Sequence, residues 1–309
     1  MAATGSSNTW SRTFTSSSTS DRPSGGSRRR IGGAQRLTAL IRLVHPFPVL
    51  VDAVATAAIA LVAGAVPATA LRLGVAMLGL QAAIGALNDV RDAPRDAGLK
   101  PGKPIPAGLI SPRLGLLVAT AGATAGVLLS APSGGPTLLL AVLILGIGVI
   151  YDLALKGTAW SWLPFAVGIP LLPVFAWLGS GSPLPDGFML LLPAAFLAGA
   201  ALAIGNALAD VERDRAAGVT SIAARLGRAR AWRVMAALYG AVVTIAAIGG
   251  PGKVPSGLTI AATVVPAVIL AGAVALAASP SPERRERGWE LQAVGVALLA
   301  AGWLAVTLR

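Results

Sequence analysis

The chain has 309 residues, of which 55% are hydrophobic and 12% are charged, whereas a soluble domain carries about a quarter charged residues. Net charge is +12, yet the polar surface of a soluble nucleic-acid-binding protein is missing, so the basic balance points to a membrane and to no nucleic-acid partner. With no Cys and one His, disulfides, iron–sulfur clusters, thiolate zinc and His-cluster metal sites are excluded, and any metal must be held by oxygen, as Mg²⁺ is.

Residues 1–36 are rich in Ser and Thr and contain Arg28, Arg29 and Arg30, with no apolar core of a signal peptide. They are expected to form a disordered tail whose basic end touches anionic headgroups. From 37 to 309 the chain reads as apolar runs near 20 residues, long enough to cross a bilayer core of ~30 Å as helices. The runs lie at 46–66, 68–87, 112–130, 136–151, 160–179, 187–208, 229–248, 257–278 and 288–308. The expected fold is therefore an all-α integral membrane bundle of about nine transmembrane helices. Frequent Gly and Ala favour close helix packing in lipid. Pro164, Pro170, Pro173, Pro193 and Pro266 fall inside runs and predict local kinks.

The basic residues fix the expected orientation. If the N-terminus is cytoplasmic, only Arg72, Lys253 and Arg309 of the 25 Lys and Arg fall on the outer side. Nine spans with a cytoplasmic N-terminus in the cell membrane satisfy the positive-inside rule. Arg284, Arg285 and Arg287 read as part of that anchor.

The acids gather on the inner side. Segment 88–108 reads NDVRDAPRDAGLKPGKPIPAG and segment 206–227 reads NALADVERDRAAGVTSIAARLG. Asp89, Asp92 and Asp96 are spaced i, i+3, i+7 and share one helix face; Asp210 and Asp214 are i, i+4, and Glu212 points roughly the opposite way. Pro94 lies between Asp92 and Asp96, so the helix is expected to bend or restart there. Like charges at these spacings repel and need compensation. Salt bridges with the interleaved Arg91, Arg95, Arg213 and Arg215 would supply it. The alternative is that the carboxylates hold Mg²⁺ against a diphosphate, since Mg²⁺ binds one or two carboxylates plus substrate phosphates.

These residues resemble the UbiA superfamily of intramembrane prenyltransferases. Its first signature, N-D-x-x-D-x-x-x-D and a following basic stretch, is matched by Asn88, Asp89, Asp92, Asp96 and then Lys103-Pro104-Ile105-Pro106-Ala107-Gly108. Its second, D-x-x-x-D followed by Gly and a Ser/Thr pair, is matched by Asp210, Asp214, Gly218, Thr220 and Ser221. The resemblance covers about 37–309. Lys103 departs from the usual Arg; it keeps the charge and loses the bidentate fork.

The resemblance implies a cytoplasmic-side active site where Asp89, Asp92, Asp96, Asp210 and Asp214 hold Mg²⁺ and carry catalysis. The transferred group would be a prenyl chain, moved from its allylic diphosphate to an aromatic or lipid acceptor, as in quinone or prenyl-lipid synthesis. Lys100, Lys103 and Lys156 are candidates for the diphosphate oxygens, Asn88 and Asn206 for orienting carboxylates or binding metal, and Tyr151 for stacking on the allylic cation. Lys156 and Tyr151 read equally well as membrane-interface anchors. His45 reads as a headgroup-level residue rather than an acceptor contact. Asp52 sits inside the first run, where a carboxylate pairs or functions; Arg42 and the acceptor are both within its reach. Relatives of the fold also carry out phosphoribosyl transfer to polyprenyl phosphate and terpene cyclisation. From another class, a cation or proton transporter would use acids in spans, but it wants them near the bilayer midplane, and here they sit at the rim. Gly98 to Lys103 is too short for a Walker A loop, and no G-x-G-x-x-G occurs.

Overall fold

The computed structural model describes residues 32–98, 100, 102–249 and 257–307, and among them every regular element is helical. The first 31 residues of the expected tail lie outside the described residues. Its last residues do not: helix α1 (Gly33–Leu43) starts inside the stretch read as tail. It buries Ala39 and Leu43 and leaves Leu37 and Ile41 exposed, so an amphipathic face begins earlier than the composition shift suggests.

His45 precedes Pro46, and a residue before proline is pushed out of the α region. Helix α1 therefore stops short of it, and α2 (Pro46–Val62) begins with the proline in its first turn, at 61° to α1. His45 at the bend has φ 53°, and it is the non-glycine residue with left-handed φ among those described. Such a conformation is strained, and its persistence marks a place where the surroundings fix the side chain.

Helix α3 (Pro67–Asp96) has 30 residues and runs on past Pro94, contrary to the expected break. Pro94 loses its bond to the carbonyl of Val90, but the helix ends two residues beyond it, so little ladder is left to disrupt. Helices α4 (Pro112–Ser130), α5 (Gly135–Ile150) and α6 (Leu163–Gly179) follow, with a π-helical turn at Tyr151–Leu155 closing α5. Helix α7 (Phe188–Ala209) leads into the short α8 (Val211–Ala216) and α9 (Ile222–Leu226), and α10 (Arg228–Ile248), α11 (Gly257–Ala277) and α12 (Pro282–Thr307) complete the chain.

Among the described residues seven helices are long and apolar enough to cross a membrane, or eight if α1 and α2 form one broken span. The place of the remaining expected span is taken by α6, which is apolar but has 17 residues. Pro170 and Pro173 lie inside α6.

Contacts close a ring α2–α3–α5–α6–α7–α12 and back to α2, with α4 outside α3 and with α10 and α11 behind α7 and α12. Small residues set the closest approaches. A Cβ on Gly79 of α3 would lie 2.8 Å from the carbonyl oxygen of Gly122 on α4, and one on Gly199 of α7 would run into that of Phe165 on α6. One end of the ring is filled by a cluster that includes Ile59, Leu73, Met77 and Phe175. The other end, where α3 and α7 finish, stays open.

Candidate active site

The open end holds a cavity of about 490 Å³, within the ~300–1,000 Å³ of small-molecule sites. Helix periodicity explains its walls. Helix α2 presents Pro48, Val49 and Asp52 below His45 at its cap; α3 presents Gln81, Ile84, Gly85, Asn88 and Asp92 on one stripe.

Of the expected site residues, Asn88, Asp92, Lys100 and Lys103 line the cavity from the first motif. Tyr151 and Lys156 line it from the π-helical turn and the loop after it, and Asn206 and Asp210 from the end of α7. Asp89, Asp96 and Asp214 do not line it. Asp89 and Asp96 are 1% and 5% exposed and stand behind the wall.

The pairing is by lysine rather than by the interleaved arginines. Lys103 binds Asp89, and His45 Nε2 lies 2.8 Å from the same carboxylate and 3.2 Å from Lys103 Nζ. Lys156 binds Asp92. Lys100 Nζ lies 3.8 Å from Asp96 and 3.5 Å from Asp210, so one ammonium joins the two acid motifs. Of Arg91, Arg95, Arg213 and Arg215, only Arg213 pairs with an acid of either motif, Asp210, among the described residues.

Asp214 sits off the cavity and accepts from Ser221 Oγ at 2.6 Å. Burial, with repulsion from Asp210, holds its carboxyl above the usual range although the Ser221 bond opposes the rise. Glu212 turns away as its helix position predicts and binds Arg285. Arg285 is 0% exposed and also donates to the carbonyls of Ser279 (3.1 Å) and Pro280 (2.9 Å). It is therefore a buried clamp between α8 and the start of α12, not the surface anchor its sequence neighbourhood suggests.

Sequence reasoning missed several residues. His45 is in the site, and the lone His of the chain, set before Pro46 at the start of the first apolar run, was the signal for it. Asp152 accepts from Asn88 Nδ2 at 2.8 Å, and its other oxygen is buried without a partner. An acid directly after Tyr151 at the end of an apolar run could have been singled out. Gln81, Glu286 and Trp289 also line the cavity and carry no motif.

Among the described residues no three His, Cys, Asp or Glu side chains cluster closely enough to form a metal cage by themselves. The oxygen donors still suit a hard cation. Asp92 and Asp210, with Asn88 and Asn206, reach one cavity from two helix ends, and Mg²⁺ needs few protein ligands when a phosphate supplies the others.

Apolar helices ringed about a cavity with carboxylates and lysines at its mouth define a multi-pass membrane protein with an enzyme-like site. A profile of the UbiA prenyltransferase family matches residues 50–300, and the chain belongs to that family. No curated protein sequence matches it. The fold is similar to that of a UbiA homologue from Aeropyrum pernix K1 (21% identity, 84% of this chain and 97% of that one, TM-score 0.67). It is also similar to a UbiA homologue from Archaeoglobus fulgidus bound to GPP and Mg²⁺ (21% identity, 88% and 100%, TM-score 0.66). A third similar structure is that of a digeranylgeranylglyceryl phosphate synthase (15% identity, 89% and 99%, TM-score 0.66).

Proposed function

We propose that the protein transfers a prenyl chain, with Mg²⁺, from an allylic prenyl diphosphate to an aromatic or lipid acceptor of quinone or prenyl-lipid synthesis. The observation that carries this reading is Lys100, whose ammonium lies between Asp96 of the first acid motif and Asp210 of the second. Two motifs far apart in the chain thereby face one cavity, with cations interleaved among the acids. The Archaeoglobus fulgidus homologue bound to GPP and Mg²⁺, and the same protein bound to DMAPP and Mg²⁺ (20% identity, TM-score 0.65), support the choice of ligand.

Asp92, Asp210, Asn88 and Asn206 would hold the metal, with Asp89 and Asp96 behind them at the end of α3 and Asp214 joining α8 to Ser221. Mg²⁺ bound there would neutralise the diphosphate and stabilise it as it leaves. Lys103, Lys156 and Lys100 rest on carboxylates. With Asp92 and Asp210 engaged, the ammonium groups of Lys156 and Lys100 would turn to the phosphate oxygens, where they offset developing charge; Lys103, held on Asp89, faces the same cavity. The C1–O bond breaks with its electron pair going to the diphosphate, C1 bonds to the acceptor, and the acceptor gives up a proton. Tyr151 meets Phe165 edge-on at 5.5 Å and lines the cavity, where an aromatic face stabilises an allylic cation. Ile147, Ile169 and Leu172 keep water from the reacting carbon.

We assign the open end and the N-terminus to the cytoplasmic side of the cell membrane, because the basic residues gather there. The test is prenyl transfer from radiolabelled geranyl diphosphate to a panel of phenolic and glycerol-phosphate acceptors. EDTA should abolish transfer and added Mg²⁺ restore it; full turnover in chelator refutes the metal–diphosphate mechanism. Labelled hydrocarbon formed without an acceptor would favour cyclisation instead.

A further inference from the structure

We infer that Asp52 is the specificity-determining residue of the acceptor subsite. It selects a neutral or cationic acceptor that donates a hydrogen bond, and it rejects an acceptor carrying a carboxylate. This rests on the prenyl-transfer reading of the cavity.

The two walls of the cavity differ. Helices α5 and α6 contribute Ile144, Ile147, Gly148, Gly168, Ile169 and Leu172, which offer a prenyl chain only apolar contacts. Helices α2 and α3 contribute Asp52 and Gln81, well below the mouth. Asp52 is seven residues beyond His45, about 10 Å along α2 at 1.5 Å per residue. Gln81 is eight residues before Asp89, about 12 Å along α3 by the same rise. His45 and Asp89 touch at the mouth, and α2 and α3 run antiparallel. A Cβ on Gly85 would meet Val44 and one on Gly74 would meet Ala53, so Asp52 stands roughly two helical turns beneath the mouth and Gln81 about one turn above it on the facing helix.

The acids of the mouth that line the cavity have partners: Asp92 has Lys156, Asp210 has Lys100 and Arg213, and Asp152 has Asn88. Asp52 has none. Among the described residues only its backbone carbonyl is engaged, by Thr56 Oγ1 at 2.7 Å. Arg42, weighed from the sequence as its partner, makes no ion pair with it among the described residues. Glu286 also lines the cavity unpaired, but it is exposed, whereas Asp52 is inside the span. An unpaired carboxylate in an apolar span is retained where it has a ligand to meet. A prenyl chain cannot be that ligand. The remaining occupant is the acceptor, whose O–H or N–H group would satisfy Asp52 and whose carboxylate would be repelled by it. Gln81, on the facing helix about one turn nearer the mouth, can both donate and accept, so it suits a second polar group on the same molecule.

The test uses two acceptor probes of matched size, 4-hydroxybenzyl alcohol and 4-hydroxybenzoate, with purified full-length protein in nanodiscs, geranyl diphosphate and Mg²⁺. Binding is read by calorimetry and transfer by labelled product. The wild type is expected to favour the alcohol at least tenfold. Asp52→Asn should cut that preference tenfold or more, chiefly by admitting the benzoate, while Asp52→Glu should keep it. Geranyl diphosphate binding should be the same in all three proteins. If the wild type shows no preference, or if Asp52→Asn leaves it unchanged while geranyl diphosphate still binds, this inference alone is overturned. If the wild type fails to bind geranyl diphosphate with Mg²⁺, the prenyl-transfer reading falls and takes the inference with it.

Discussion

Asp92→Asn and Glu212→Gln each remove one negative charge and keep side-chain shape, yet the structure predicts opposite failures. Asp92 lines the cavity and is paired with Lys156, and both side chains keep some contact with solvent (13% and 26% exposed). Losing a part-screened pair of this kind costs about 1 kcal/mol or less, so Asp92→Asn should fold and melt nearly as the wild type does. Its activity should fall by about 10²–10³, the usual loss when one preorganised charge at a leaving group is removed. Glu212 is the reverse. It lies off the cavity, but its partner Arg285 is 0% exposed, and Arg285 Nε already lacks a partner. Glu212→Gln leaves a buried guanidinium with neutral acceptors alone, a loss of about 1–3 kcal/mol that the half-exposed position of Glu212 keeps toward the low end. Melting temperature should drop by several degrees, and kcat measured below the transition should be close to wild type. Differential scanning fluorimetry and single-turnover transfer separate the two. The reasoning is refuted if folded Glu212→Gln loses kcat as Asp92→Asn does, or if Asp92→Asn keeps most of its activity.

Gly122→Val puts a branched side chain where a Cβ already meets the carbonyl oxygen of Gly79 at 2.8 Å; overpacking the α3–α4 contact should cost about 1–3 kcal/mol and lower the melting temperature. Asp214 makes a pH prediction. Its folded pKa lies above 3.8, so the folded state holds the proton more tightly, and in chelator wild-type stability should decline as pH rises from about 4 through the raised value. Asp214→Asn should flatten that decline; an unchanged pH profile would show that Asp214 is not the group responsible. Because the chain has no Cys, single cysteines report topology: Asp186→Cys should react with an impermeant maleimide added outside cells and Ala216→Cys should not, and the reverse pattern would invert the orientation.

The spans and both acid motifs were legible in the sequence because each depends on a local pattern: apolar length for the helices, i, i+3, i+4 and i+7 spacing for the acids. Helix-face spacing set Glu212 apart, but it did not keep Asp210 and Asp214 together: Asp210, at the break between α7 and α8, lines the cavity and Asp214 does not. Pro94 misled because proline's effect depends on how much helix follows it, and here two residues do. What only the tertiary structure decided is which charge meets which. Local spacing offered the acids Arg91, Arg95, Arg213 and Arg215, one to five residues away, but the fold gives them Lys100 and Lys103 from the loop after α3 and Lys156 from the loop after α5. Asp89 meets His45 across 44 positions and Asn88 meets Asp152 across 64. Arg285 reads as one basic residue among three, and it becomes a buried clamp because α12 packs beside α7 and α8 lies at its start. A helix pattern says which way a side chain points around its own axis; what stands opposite depends on how the helices close into a ring, and that is set by small-residue contacts such as Gly199 of α7 on Phe165 of α6.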